Sequence, residues 1–142
     1  MRLIDLVDIK KAINDLLKDT GIKTIDNSVK EGFARPSFFV QILSLGGTDL
    51  LKSNTYENSY MIEINYFSKE QTQLDNLKMA DVLKKKVLPY INIKNRKLTP
   101  KNIRFEDIDG LLSFKFNLKW LDAAERKEYP PMENLELKIN KG

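Results

Sequence analysis

With 142 residues, 42% of them hydrophobic and 31% charged, and with only 6 Gly and 5 Pro, the chain has the composition of one folded domain and not of a disordered or fibrous segment. Its 24 basic and 20 acidic residues leave a net charge of +4 that is spread along the chain instead of gathered in one block. Cysteine and histidine are both absent, which excludes disulfides, thiolate and imidazole metal sites, cysteine nucleophiles and any Ser/His/Asp triad.

From Leu3 to Lys18 the apolar residues Leu3, Leu6, Val7, Ile9, Ile13, Leu16 and Leu17 fall mostly three or four apart, with acids early and lysines late. That pattern predicts an amphipathic helix aligned with its own dipole. Acids interrupt the opening residues every few positions, so no secretory signal is expected, and no run approaches the roughly 20 apolar residues of a membrane span. A soluble product assembled in the cytoplasm, without membrane contact, is the expectation. Gly21 is a plausible helix stop, and Ile22 to Ile25 a short strand before the turn residues Asp26, Asn27 and Ser28.

Pro36 pushes Arg35 toward extended geometry, and the aromatic and β-branched run Phe38-Phe39-Val40-Gln41-Ile42-Leu43 begins directly behind it. This strand is expected to end in a plain turn at Gly46-Gly47, with residues 48 to 55 as a loop or hairpin end. Tyr56 to Phe67 then alternates, putting Tyr60, Ile62, Ile64 and Tyr66 on one face and Glu63 and Asn65 on the other. Ser68-Lys69-Glu70-Gln71 has the shape of an N-cap with Gln at the third helical position. The helix it would open runs to about Leu88, just before Pro89, with Leu74, Leu77, Ala80, Leu83, Val87 and Leu88 as its apolar side.

Asp109-Gly110 lies between two apolar, alternating runs and predicts a two-residue type I′ hairpin. Pairing Ile108 with Leu111 would set Phe105 opposite Phe114 and Ile103 opposite Phe116, on one core face with Leu112, Leu118 and Trp120. Ser113, Lys115, Asn117 and Lys119 would form the wet face. Beyond Asp122 the chain turns polar through Tyr129-Pro130-Pro131, and Leu135, Leu137 and Ile139 alternate with Glu136 and Lys138 as an edge strand or an arm toward a neighbouring subunit. The expected fold is α+β: a single antiparallel or mixed sheet, two amphipathic helices packed on one face, and a C-terminal extended arm. Residues 1–124 would form the domain and 125–142 the extension.

No phosphate loop, dinucleotide fingerprint, nucleophile elbow or zinc signature occurs. Glu106, Asp107 and Asp109 are better explained by the hairpin than by a cation, and Glu63 by solvent or a subunit ion pair than by acid catalysis. The bases Lys84, Lys85, Lys86, Lys94, Arg96, Lys97, Lys101 and Arg104 read as solvated helix-end and loop charges. No catalytic residue, cofactor or metal ligand is assigned.

The order of elements, with Gly32-Phe33-Ala34-Arg35-Pro36-Ser37-Phe38-Phe39, Ile64-Asn65-Tyr66-Phe67 and Asp109-Gly110-Leu111-Leu112-Ser113-Phe114, resembles the tail terminator proteins of tailed phages and phage-derived tail particles over residues 3 to 122. The resemblance implies a non-enzymatic virion structural protein, a homohexameric ring that caps the head-proximal end of the tail tube and ends its polymerisation. Its implied partners are further copies of itself, the tail tube protein, the head-tail connector and, in a contractile tail, the sheath protein. Nucleic acid is expected only as DNA passing through the ring lumen. Glu63, Lys115, Lys119 and Tyr129 are the candidate subunit or tube contacts. The rival readings are a head-tail connector or neck completion protein and, from another class, a small nucleic-acid-binding module.

Overall fold

The structure, a computed structural model, describes residues 3–25, 34–52 and 54–123. Helix α1 (Leu6–Leu17) starts at an Asp5 cap, where Asp5 Oδ1 accepts from the Asp8 amide at 2.8 Å and Asp8 Oδ2 accepts from the Asp5 amide at 2.9 Å. The Asp8 carboxyl is held below its usual pKa by the Asp5 amide and by Lys94 beside it. A short 3-10 turn, Lys18–Thr20, follows and is capped by Gly21. Ile9, Ile13 and Leu17 are buried, as their spacing requires, while Leu6 and Val7 stay outside the core.

Five strands form one mixed sheet in the order β1 (Lys23–Ile25), β2 (Ser37–Lys52), β3 (Thr55–Phe67), β7 (Leu111–Ala123) and β6 (Lys101–Ile108). Only the β1–β2 pair is parallel. Helix α2 (Gln73–Val87) and a two-stranded hairpin, β4 (Ile91–Ile93) with β5 (Arg96–Leu98), complete the described residues. Helix α1 packs on β2 and β4, and α2 packs on β6 and β7. One continuous core lies between the helices and the sheet: Phe38, Val40, Ile62, Ile64, Phe114, Phe116 and Leu118 from the strands meet Ile9, Ile13, Leu17, Ala80, Leu83 and Val87. This is the expected α+β arrangement, a sheet covered on one face.

Several local expectations need correction. Strand β2 does not end at Gly46-Gly47; it runs through them to Lys52, and residues 48 to 55 are mostly strand. The pairing skips there from Ser44↔Tyr60 to Gly47↔Ser59, and Gly47 sits at φ 71, so the glycines serve a bulge that bends the strand and not a turn that ends it. Ser68 is not the cap of α2. Its hydroxyl accepts from the Gln71 amide at 2.6 Å in a preceding turn, and Thr72 caps the helix by accepting from the Asp75 amide at 3.2 Å.

The buried face of α2 also differs in part from the expected one. Asn76, Ala80, Leu83 and Val87 are buried, whereas Leu74, Leu77 and Leu88 are exposed. Asn76 replaces a leucine at the core side because its Nδ2 donates to the Gly110 carbonyl at 3.1 Å and ties the helix to the β6–β7 turn.

At that turn Ile108 pairs with Leu111 and Phe105 with Phe114, as the sequence requires. Ile103 does not form a simple one-to-one pair with Phe116: the register shifts between Lys101 and Arg104, so Asn102, at φ 52, and Ile103 together face Phe116, with Ile103 packed partly buried against the core. Phe105, on the edge strand β6, is exposed while Phe114 is fully buried, and Ser113 on the supposed wet face is buried. Gly110 has φ 81, and a Cβ there would stand 3.1 Å from the Gln71 carbonyl oxygen, so any other residue would strain the turn and crowd the approach to α2.

Candidate functional site

Two surfaces stand apart from the core. The first is the uncovered face of the sheet. Gln41, Glu63, Lys115 and Arg104 lie side by side across β2, β3, β7 and β6, each the register partner of the next. Glu63, half-buried, accepts from Gln41 Nε2 at 3.4 Å and from the Ser113 hydroxyl. Arg104 donates to Asn117 Oδ1 at 3.4 Å and to its own strand at the Asn102 carbonyl, 2.8 Å. Lys119 is further along β7 with Nζ 3.7 Å from Glu57. The sequence-based candidates Glu63, Lys115 and Lys119 therefore share one face, and Glu63 and Lys115 are directly opposed on it. Tyr129, the fourth candidate, lies outside the described residues, as do Gly32 and the whole 125–142 extension.

The second surface is a ribbon the sequence reading missed. Past the bulge, β2, β3 and the end of β7 continue together to Lys52, Thr55 and Ala123. Every residue from Thr48 to Lys52 is exposed, and Leu45, Leu50, Leu51 and Leu121 leave apolar side chains in water. A polar cluster holds the base of the ribbon. Asp122, 6% exposed, accepts from Arg96 Nη1 at 2.6 Å, Trp120 Nε1 at 3.1 Å and Asn58 Nδ2 at 3.3 Å. Asn58 Oδ1 in turn accepts from the Thr48 hydroxyl at 2.7 Å. Arg96 also donates to the Leu121 carbonyl at 2.6 Å, which fastens β5 to β7. The signal available in the sequence was the β4–β5 hairpin, Ile91-Asn92-Ile93-Lys94-Asn95-Arg96-Lys97-Leu98, whose Lys94 and Asn95 take φ 50 and 65 in a two-residue turn.

The bases once grouped along the chain are dispersed. Lys84 faces Asp81, Lys86 bonds Asp19 in the 3-10 turn after α1, Lys94 is 2.9 Å from Asp8, Arg96 serves Asp122, and Lys97 lies 5.0 Å from the Tyr90 ring centre. Glu106 and Asp107 face opposite sides of β6, opposite Ser113 and Leu112. Among the described residues no helix is long and apolar enough to cross a membrane.

The motif residues quoted above come together. Ser37 pairs with Phe67 and Phe38 with Tyr66, while Phe67 pairs with Leu111 and Tyr66 with Leu112, so three separated sequence pieces meet at one end of the sheet. The Phe38 and Tyr66 rings are 5.4 Å apart, and the Ser37 hydroxyl donates to the Ala34 carbonyl just before Pro36. Phe39 is half-buried on the open side, Asp109 takes φ 50 in the turn, and the Arg35 guanidinium lies 5.8 Å from the Phe67 ring centre. The Tyr66 hydroxyl donates to Asp75 Oδ2 at 3.2 Å; burial and that carboxylate push its pKa up to about 12. These residues build one end of the sheet and do not surround a cleft.

A family model described as phage tail terminator protein matches residues 8–130, most of the chain. The chain belongs to the phage tail terminator family. Membership makes it a structural protein of a phage tail, one that contacts other tail components. No curated protein matches the chain. A solved structure is similar over 89% of this chain and 100% of its own at 12% identity, with a TM-score of 0.40.

Proposed function

We propose that this tail terminator family member acts as a ring of six copies that caps the head-proximal end of the tail tube and stops its polymerisation. Family membership carries the reading, and the one-sided sheet supports it. A face bearing Gln41, Glu63, Lys115 and Arg104 in a cross-strand row offers opposed charges to a partner without a cleft for a substrate. In this reading Lys115 and Lys119 contact a neighbouring copy or the last tube ring, and the leucines of the ribbon supply apolar contact area. The opposite side of the ring meets the head-tail connector and, in a contractile tail, the last sheath ring. The 1–124 body forms the ring wall and the 125–142 extension, with Tyr129, a subunit contact; the chain assembles in the cytoplasm and ends in the particle, without catalysis.

Electron microscopy of particles made without this chain tests the reading. Tubes longer than in the complete particle are expected. Tubes of ordinary length without heads would overturn capping and assign the chain to a neck connector instead. Charge reversal at both Lys115 and Lys119 should abolish ring formation or capping; if both survive, those lysines are not contacts.

A further inference from the structure

Beside β2 the sheet has an open edge. Strand β1 pairs only with Ser37, Phe38 and Phe39, and from Val40 to Lys52 that side of β2 has no partner strand among the described residues. Leu43 to Gly46 are exposed, so the backbone there meets solvent. The flank of α1 rises along this edge and makes two adjoining hollows of ≈ 650 and ≈ 440 Å³ that share Asn14 and Lys18. The larger is floored by Leu6, Val7 and Ile42. Val7 is 75% exposed, a large apolar residue standing in water beside that edge of β2. Asn14 Oδ1 is buried there without a hydrogen-bond partner among the described residues.

We propose that this groove receives residues 133–139 of a second copy of the chain as an added strand on β2. The inference deepens the ring reading above and rests on its self-association, not on where the ring sits in the tail.

Four observations fit that occupant. Leu135, Leu137 and Ile139 alternate with Glu136 and Lys138, so a strand made of them turns apolar side chains toward α1 and charges toward the uncovered face. The groove carries Lys10, Lys11 and Lys18 against Asp15, and Glu133 falls on the same side of the segment as Leu135, toward those lysines. An edge strand needs main-chain partners, and the Asn14 carbonyl oxygen needs a donor; an added backbone supplies both.

The fourth observation concerns direction. Strand β7 runs toward the ribbon tip and ends at Ala123 beside Thr55, itself the partner of Lys52. At Ala123 the strand therefore points away from the groove of its own molecule, and the 11 residues 124–134 could span at most about 40 Å, a reach within which a neighbour's groove can lie. A donor at the tip and an acceptor beside α1 make a head-to-tail contact, the kind that closes into rings. The family match ends at residue 130, before the segment proposed as the donated strand.

The absence of cysteine gives a direct test. Full-length Leu43→Cys protein is mixed with full-length protein carrying one cysteine placed in turn at 134, 135, 136, 137 or 138, and oxidised mildly. Neighbouring strands bring opposed Cα atoms to about 4.5–5.5 Å, within disulfide range. A reducible mixed dimer for at least one position, absent when either protein is oxidised alone, is the expected result. The chain carrying both cysteines should then give a ladder of linked oligomers. A bond formed only within one chain would place the segment in its own groove and overturn the proposal, as would no bond at any position. Mixed dimers from a chain whose loss leaves tube length unchanged would uphold strand exchange while removing tube capping.

Discussion

Replacing Asp122 with alanine tests the ribbon's anchoring. The carboxylate accepts three hydrogen bonds, from Arg96, Trp120 and Asn58, at 2.6, 3.1 and 3.3 Å. Its loss leaves a guanidinium, an indole N–H and an amide N–H short of an acceptor. Removing one partner of a buried ion pair costs about 3–5 kcal/mol. The low end applies because Arg96 keeps the Leu121 carbonyl and its side chain is 22% exposed. A loss of about 3 kcal/mol corresponds, for a domain of this size, to a fall of about 10–15 °C in Tm. Urea titration followed by circular dichroism reads the free energy, with Asp81→Ala as control. Asp81 pairs with Lys84 at 3.5 Å in the open, where such pairs contribute about 0–1 kcal/mol. If Asp122→Ala cost no more than that control, the polar cluster would not be the anchor. A cycle with Arg96→Met completes the experiment, because the double variant should lose less than the sum of the two single ones.

Gly110→Ala should destabilise the protein by about 1–2 kcal/mol in the same titration, from the positive φ and the close Gln71 carbonyl. Tyr66 has its pKa raised to about 12 against an unfolded value near 10, so its contribution is whole below about pH 10 and is lost as pH rises toward 12. The urea midpoint of Tyr66→Phe should therefore fall less over that interval than that of the unaltered chain. Asp8, with its pKa depressed, stabilises the fold above about pH 4, a contribution lost as pH falls through the folded value. Asp8→Asn should flatten the acid side of the stability profile, and an unchanged slope would contradict the cap assignment.

The two-helix, one-sided sheet was legible because periodicity and core coincide in it. Ile9, Ile13 and Leu17, Ile62 and Ile64, and Phe114 and Phe116 are spaced for the faces they occupy. The β6–β7 turn was legible because Asp109-Gly110 satisfies a strict backbone demand. What escaped were places where a local signal serves a distant contact. Gly46-Gly47 reads as an ending, yet it bends a strand that continues because β3 continues beside it. Asn76 reads as a wet helix position, yet a carbonyl 34 residues away makes it a core one. The α2 pattern was right at Ala80, Leu83 and Val87 but not at Leu74 and Leu77, where Asn76 holds the core side in the first turns. Glu63, Lys115 and Lys119 were correctly placed on one face by alternation alone, but alternation has no means of showing the ribbon, whose existence depends on three strands agreeing to run past their core.

The meeting of Ser37, Phe38, Tyr66, Phe67, Leu111 and Leu112 at one end of the sheet bears on genetics. A screen for particles with defective tails will return substitutions at these positions in large numbers, since each damages the same junction from a different place in the gene. Their shared phenotype will be scarcity of soluble protein, not a well-made subunit that fails to dock. Measuring how much soluble chain each mutant yields will separate these folding lesions from substitutions on the uncovered face, which leave the subunit abundant and its assembly impaired.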